Sequence, residues 1–214
     1  DLYRPYRPKR RTRATIAKEK GLEPLAALIW LQKTEEPLEN AARPYISEEK
    51  GVATEADAIA GAQDIIAESI SDNADYRTWI RRTTMKKGKV VSTAKDPDAE
   101  SVYEMYYDFE EPVSKLAGHR VLALNRGEKE KILTVKVEAP EEEITAWLER
   151  KTLRGNNPFT SPVIKEAVKD SYHRLIAPAI EREIRNDLTE KAEDGAIQVF
   201  GKNLQQLLMQ PPVA

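Results

Sequence analysis

Two runs of basic side chains carry the clearest chemical signal in this 214-residue sequence. The first comprises Arg4, Arg7, Lys9, Arg10, Arg11, Arg13, Lys18 and Lys20, opposed within residues 1–20 only by Asp1 and Glu19. The second comprises Arg77, Arg81, Arg82, Lys86, Lys87 and Lys89, with no acid from Tyr76 to Lys89. Cations at this density neutralise phosphates and release their condensed counterions, an attraction that weakens with salt. Arg77 and Arg81 are four residues apart and share a face if the segment is helical, with Arg82 beside it. The candidate nucleic-acid-binding residues are therefore Arg7, Lys9, Arg10, Arg11, Arg13, Arg77, Arg81, Arg82, Lys86 and Lys87. Tyr3, Tyr6, Tyr76 and Trp79 lie among them. Unpaired bases stack on such rings, but rings at these positions also serve as core, and core is the expected role.

Other chemistry finds little support. His119 and His173 are far apart, neither lies in a His-Glu-x-x-His pattern, and there is no cysteine to complete a thiolate site. No phosphate-cradling Gly-rich loop and no Gly-x-Ser-x-Gly elbow is present. The run Glu141-Glu142-Glu143 follows Pro140 and reads as a helix start, where carboxylates oppose the positive end of the helix dipole. No catalytic residue, metal ligand or cofactor is assigned, and an enzyme is not expected.

The elements that must hold these cations are mostly helical. Charged residues make up 33% of the chain and hydrophobic ones 40%, with enough length for a real core. Thr12 is placed to cap a short helix that closes at Gly21, and Glu23-Pro24 opens a second. Thr54, followed by Asp57, caps the helix carrying Ala58, Ala62, Ile65, Ile66 and Ile70 on one face. Ser71-Asp72 is expected to cap the next helix, which bears the second basic run and stops near Gly88. Ile132 to Val137 alternates and is β-branched, hence the clearest strand. Arg120 to Asn125 reads either as its hairpin partner or as a helix, with helix preferred. Short helices are expected over Val102–Tyr107 and Pro112–Leu116, and Lys89 to Ala94 as extended chain. From Pro178 to about Met209 one long helix is expected, with Ile180, Ile184, Leu188, Ile197, Phe200, Leu204 and Leu207 along a face. Glu181, Glu183, Asp187, Glu190, Glu193 and Asp194 sit on it, so the net charge of -2 conceals a segregation of basic and acidic segments.

The stretch from Asp1-Leu2-Tyr3-Arg4-Pro5-Tyr6-Arg7-Pro8-Lys9-Arg10-Arg11 to Gly21-Leu22-Glu23-Pro24-Leu25-Ala26 resembles the bacterial Tex family of transcription accessory proteins. So do His119-Arg120-Val121-Leu122-Ala123-Leu124-Asn125-Arg126-Gly127-Glu128, the run from Arg174-Leu175-Ile176 to Glu181-Arg182-Glu183, and Leu207-Leu208-Met209-Gln210-Pro211-Pro212-Val213. The similarity covers essentially the whole chain. It implies part of the helical region that precedes a nuclease-like fold, not known as an active nuclease, and a C-terminal OB-fold RNA-binding domain. The family carries no catalytic residue over to this chain. Gly195 and Gly201, within the long helix, depart from the helix formers expected there.

These readings set the expectations. The fold is mainly α, an elongated multihelical array with one short β element, ending in a long helix. Residues 1–138 are expected to form a helical region with the basic clusters and a short strand near its end. Residues 139–214 are expected to form a helical segment ending in the long helix. The chain starts at Asp1 and stops soon after Pro211-Pro212, and a boundary at an interdomain linker is preferred over a natural terminus. The expected function is a non-catalytic scaffold of a Tex-like accessory protein with auxiliary nucleic-acid binding, weak here and stronger in the parent. The alternative is a protein-interaction module docking on acidic surfaces of the transcription machinery or of other domains of the parent. With no apolar run long enough to span a bilayer and no cysteine, a cytoplasmic location without membrane contact is expected.

Overall fold

A computed structural model describes residues 11–209. Arg7, Lys9 and Arg10, with Tyr3 and Tyr6, lie outside the described residues. The chain is mainly helical with one small sheet and a long final helix. It divides into two compact units, each discontinuous in sequence. One is built from residues up to Arg77 with Thr145–Ile176, the other from Thr78–Ile144 with the residues from Ala177 on. The expected boundary after residue 138 lies within the second unit.

The first unit is organised around α4 (Glu55–Ser71), which packs against α1 (Arg13–Glu19), α2 (Glu23–Leu31), α3 (Leu38–Ala42) and α8 (Ser161–Asp170). Thr12 and Thr54 cap as their spacing requires, accepting hydrogen bonds from Thr15 N at 3.0 Å and Asp57 N at 3.1 Å. Ala58, Ala62, Ile66 and Ile70 of α4 are buried, as are Leu25 and Ile29 of α2 and Ile164 and Val168 of α8. Gln32 ends α2 in the left-handed conformation and ties distant loops together. Its amide donates to Thr152 O at 2.8 Å and accepts from Arg154 N at 2.9 Å.

In the second unit the β element is a three-stranded antiparallel sheet in the order β2-β1-β3. β1 (Lys89–Ala94) is central, paired with β2 (Asp108–Pro112) and β3 (Leu133–Glu138). The strand expected at 132–137 is present, but its partner is β1. Arg120 to Asn125 lies in α6 (Gly118–Lys129), the helical alternative. Helix α6 packs on β3 and on α9 (Ala177–Leu208), burying Val121 and Leu124 against a core that includes Leu133, Ile180 and Ile184.

Several local expectations change. Helix α5 (Ala74–Lys87) is capped by Asn73, whose Oδ1 accepts from Tyr76 N at 3.0 Å. Ser71 instead donates back to Glu68 O, closing α4. The short helices expected at 102–107 and 112–116 are single tight turns at Glu104–Tyr106 and Val113–Lys115. The long helix expected from Pro178 is α9, which begins at Ala177 and follows directly on a wide turn of π-helix over Ser171–Ile176. The apolar face of α9 is buried only in part. Ile180 and Ile184 are covered, whereas Ile197, Phe200, Leu204 and Leu207 are exposed.

Gly88 joins α5 to β1 without a loop. Its amide donates to Thr84 O at 2.7 Å and its carbonyl accepts from Val113 N at 3.0 Å. A Cβ on Gly88 would stand 2.4 Å from Thr84 O and 2.9 Å from Glu138 O, both backbone atoms that cannot move aside. Gly88→Ala is therefore expected to cost about 1–3 kcal/mol through overpacking, as a lower denaturant midpoint. Unchanged stability would show that α5 and β1 are free to part.

Candidate nucleic-acid interface

Helix α5 presents Thr78, Arg81, Arg82, Met85 and Lys86 on one face, at the i, i+3, i+4, i+7, i+8 spacing of successive turns. The opposite side holds Ile80 and Thr84, both buried, with Thr84 donating to Ile80 O at 2.8 Å. The outward face forms one wall of a groove of about 620 Å³ that lies wholly within the second unit. Leu188, Lys191 and Ala192 of α9 line the facing wall, and the Val113–Lys115 turn and the start of α6 complete it. Gly118 allows α6 to begin tight against α9, since a Cβ there would lie 3.3 Å from Ala192 Cα.

The groove has two chemical layers. Its rim is cationic, carrying Arg81, Arg82, Lys86 and Lys191. Its floor is aliphatic, with Met85, Val113, Leu116, Val121, Leu188 and Ala192. Two rim cations are partly neutralised: Arg81 Nη1 stands 3.4 Å from Glu183 Oε2, and Lys191 Nζ 3.0 Å from Asp187 Oδ2. Arg82 and Lys86 are exposed and have no ion pair among the described residues. Helix α6 opens at the groove with no capping side chain and no acid in its first turn, so the positive end of its dipole adds to the same field.

The other candidate cations lie elsewhere. Arg11 pairs with Glu19 at 2.5 Å on the surface of the first unit. Lys87 turns away from the groove to Glu143 at 2.7 Å, and Lys89 meets Glu110 at 3.0 Å. Arg77 is half-buried and already engaged. Tyr76 packs edge-on against Trp147, with centroids 5.6 Å apart. Arg13 is exposed but sits in the field of two carboxylates, Asp64 and Asp170. Asp170 is held below its ordinary range chiefly by the hydrogen bonds it accepts from Arg174, at 2.7 and 3.0 Å. Asp64 is pushed up, chiefly by burial, although Arg174 and Arg13 pull the other way. The convergent set is thus Arg81, Arg82 and Lys86, joined by Lys191, which the sequence reading did not single out. Its only sequence signal was a lysine one turn beyond Asp187. Among the described residues no cluster of His, Asp or Glu is suited to a metal, and no helix is long and apolar enough to cross a membrane.

Comparison with known proteins gives a match over residues 32–200 to the family model described as Tex central region-like. The Bacillus subtilis protein YdcI is 52% identical over 216 residues, covering 100% of this chain and 30% of its own length. The transcriptional accessory protein Tex of Neisseria gonorrhoeae is 31% identical over 220 residues, covering 99% of this chain and 28% of its own length. The human S1 RNA-binding domain-containing protein 1 is 32% identical over 216 residues, covering 94% of this chain and 21% of its own length. The chain therefore spans less than a third of the length of each of these relatives.

The two aspartates of the first unit give opposite pH responses. Asp170, depressed in the fold, contributes stability above the ordinary carboxylate range that is lost as pH falls through its folded value. Asp64, raised in the fold, favours its protonated form, so its ionisation removes stability as pH rises through its folded value. Thermal melts at neutral pH are expected to show Asp64→Asn more stable than the parent and Asp170→Asn less stable. Both differences should shrink on acidification. Melting points that move together in the two variants would contradict the assignment.

Proposed function

The chain belongs to the Tex family, and from that premise we propose that it is a non-catalytic helical scaffold of a transcription accessory protein, with auxiliary nucleic-acid contacts through its basic surfaces. One observation carries this reading: Arg82 and Lys86 stand together on the groove rim without an acidic partner among the described residues, flanked by Arg81 and Lys191. Unneutralised cations on a rigid helix face suit phosphates, whose contacts position a chain without reading its sequence. Two relatives are named a transcriptional accessory protein and an S1 RNA-binding domain-containing protein, which accords with work on nucleic acid by the longer proteins. In this reading the scaffold binds weakly, transcription machinery and nucleic acid are the partners of the longer protein, and the location is cytoplasmic. Arg11, just before α1, and Arg13 of α1 belong to the same proposal as a second, weaker surface, because each already faces carboxylates.

The test is fluorescence anisotropy with single-stranded and duplex oligonucleotides over a salt series. Binding is expected at low salt, with log K falling linearly against log salt. Reversing both Arg82 and Lys86 to Glu is expected to reduce the magnitude of the slope by roughly 1.5, the value for two lost phosphate contacts. Undetectable binding at low salt would remove the nucleic-acid part and leave the scaffold alone.

A further inference from the structure

We propose that the groove of the second unit is a docking site for an acidic amphipathic segment of a partner protein, which seats an apolar side chain on the floor while its carboxylates meet the rim. Phosphate binding leaves part of the groove without a role. A phosphate gains from Arg82 and Lys86 but nothing from an aliphatic floor. The floor also contains no ring on which a base stacks. Met85 and Leu116 are half-buried, so their side chains remain partly open to a ligand, over a base of buried Val113 and Val121. Apolar surface left at the bottom of a charged cleft is what an apolar anchor covers.

Size and charge agree. About 620 Å³ lies within the range of ligand pockets and accepts large apolar side chains rather than a whole helix. The occupant's backbone would therefore lie across the opening, with its anchors pointing in. Arg81, Arg82 and Lys86 stand on the wall above the floor, with Lys191 facing them, so carboxylates beside the anchor would meet cations on both walls. The open positive end of α6 at Gly118 favours the same sign of ligand. The rim is shared with the nucleic-acid reading and the floor is not, so this proposal stands without that reading. A docked segment occupies Arg82 and Lys86 and so excludes a polyanion from them.

The probe is a fluorescent helical peptide with leucines at i and i+4 among glutamates. Its control has serines in place of the leucines at equal charge. A single-stranded oligonucleotide serves as the competitor. The leucine peptide is expected to bind at least about tenfold more tightly than its control, roughly 1.4 kcal/mol. Leu116→Ser and, separately, Met85→Ser should erase that advantage while leaving oligonucleotide affinity unchanged. Arg82→Glu combined with Lys86→Glu should weaken both ligands. Circular dichroism melts establish that each variant is folded. Equal binding of the two peptides, or floor variants that leave the leucine peptide unaffected, would overturn the proposal. Absence of oligonucleotide binding to the parent protein, with the leucine peptide bound as expected, would overturn only the nucleic-acid reading.

Discussion

The close approach of backbone at Gly88 fixes how helix α5 is set against the sheet of the second unit. Helix α5 ends at Lys87 and β1 begins at Lys89, leaving one residue for the change from helix to strand. That residue hydrogen-bonds back to Thr84 and across to Val113, with carbonyls of α5 and β3 filling the space of a side chain. A connection this short leaves α5 no freedom to roll about its axis. Ile80 and Thr84 are held inward, and Arg81, Arg82, Met85 and Lys86 must then point outward. A roll of one residue, about 100°, would put Lys87 in the place of Lys86 and Lys86 in that of Met85. Which side chains of α5 face the groove is thus a consequence of a backbone contact and not of the cations themselves.

The cations work against that arrangement. Like charges four residues apart on a helix repel by a few tenths of a kcal/mol, and Arg82 and Lys86 stand at that spacing. Three other cations of the two basic runs are neutralised: Arg11 by Glu19, Lys87 by Glu143, Lys89 by Glu110. Such exposed pairs contribute little to stability, but they do lower the local field. Glu183 and Asp187 of α9 do this for the outer rim, at Arg81 and Lys191, and stop short of Arg82 and Lys86. Unpaired lysines and arginines occur elsewhere on the surface; what distinguishes the groove is that two of them share one helix face beside an apolar lining. Local inconsistency of this sort is expected where a surface has a ligand to meet.

The sequence made legible those features whose cause lies within one turn of chain. Thr12 and Thr54 cap because the amide each accepts from is three residues on, and Glu141–Glu143 open α7 (Glu141–Thr152) for the same local reason. β2 was not legible, because Asp108-Phe109-Glu110-Glu111-Pro112 has neither β-branching nor an apolar face, and it becomes a strand only by pairing with β1. The second basic run was visible as a run, but its division was not. Whether a cation faces a groove, a carboxylate or water depends on partners such as Glu183, 102 positions from Arg81. The floor was invisible for the opposite reason: Val113, Leu116, Val121 and Leu188 look like any core residues until the wall above them is known to be charged.

Helix α9 shows where periodicity stops being informative. Its apolar positions continue at helical spacing from Ile180 to Leu207, and a pattern alone assigns them one buried face. Cover ends after Ala192, the last buried residue of the helix among those described. Gly195 and Gly201 lie beyond that point, and a Cβ at either would meet nothing within 4 Å. No tertiary neighbour among the described residues therefore requires glycine there. The two glycines mark the stretch where helix depends on local propensity, which each weakens by about 1 kcal/mol relative to Ala. In the covered half the hydrophobic spacing reports a core. In the uncovered half the same spacing reports a stripe facing water, and it is the neighbouring elements α6 and β3, not the repeat itself, that decide which of the two it becomes.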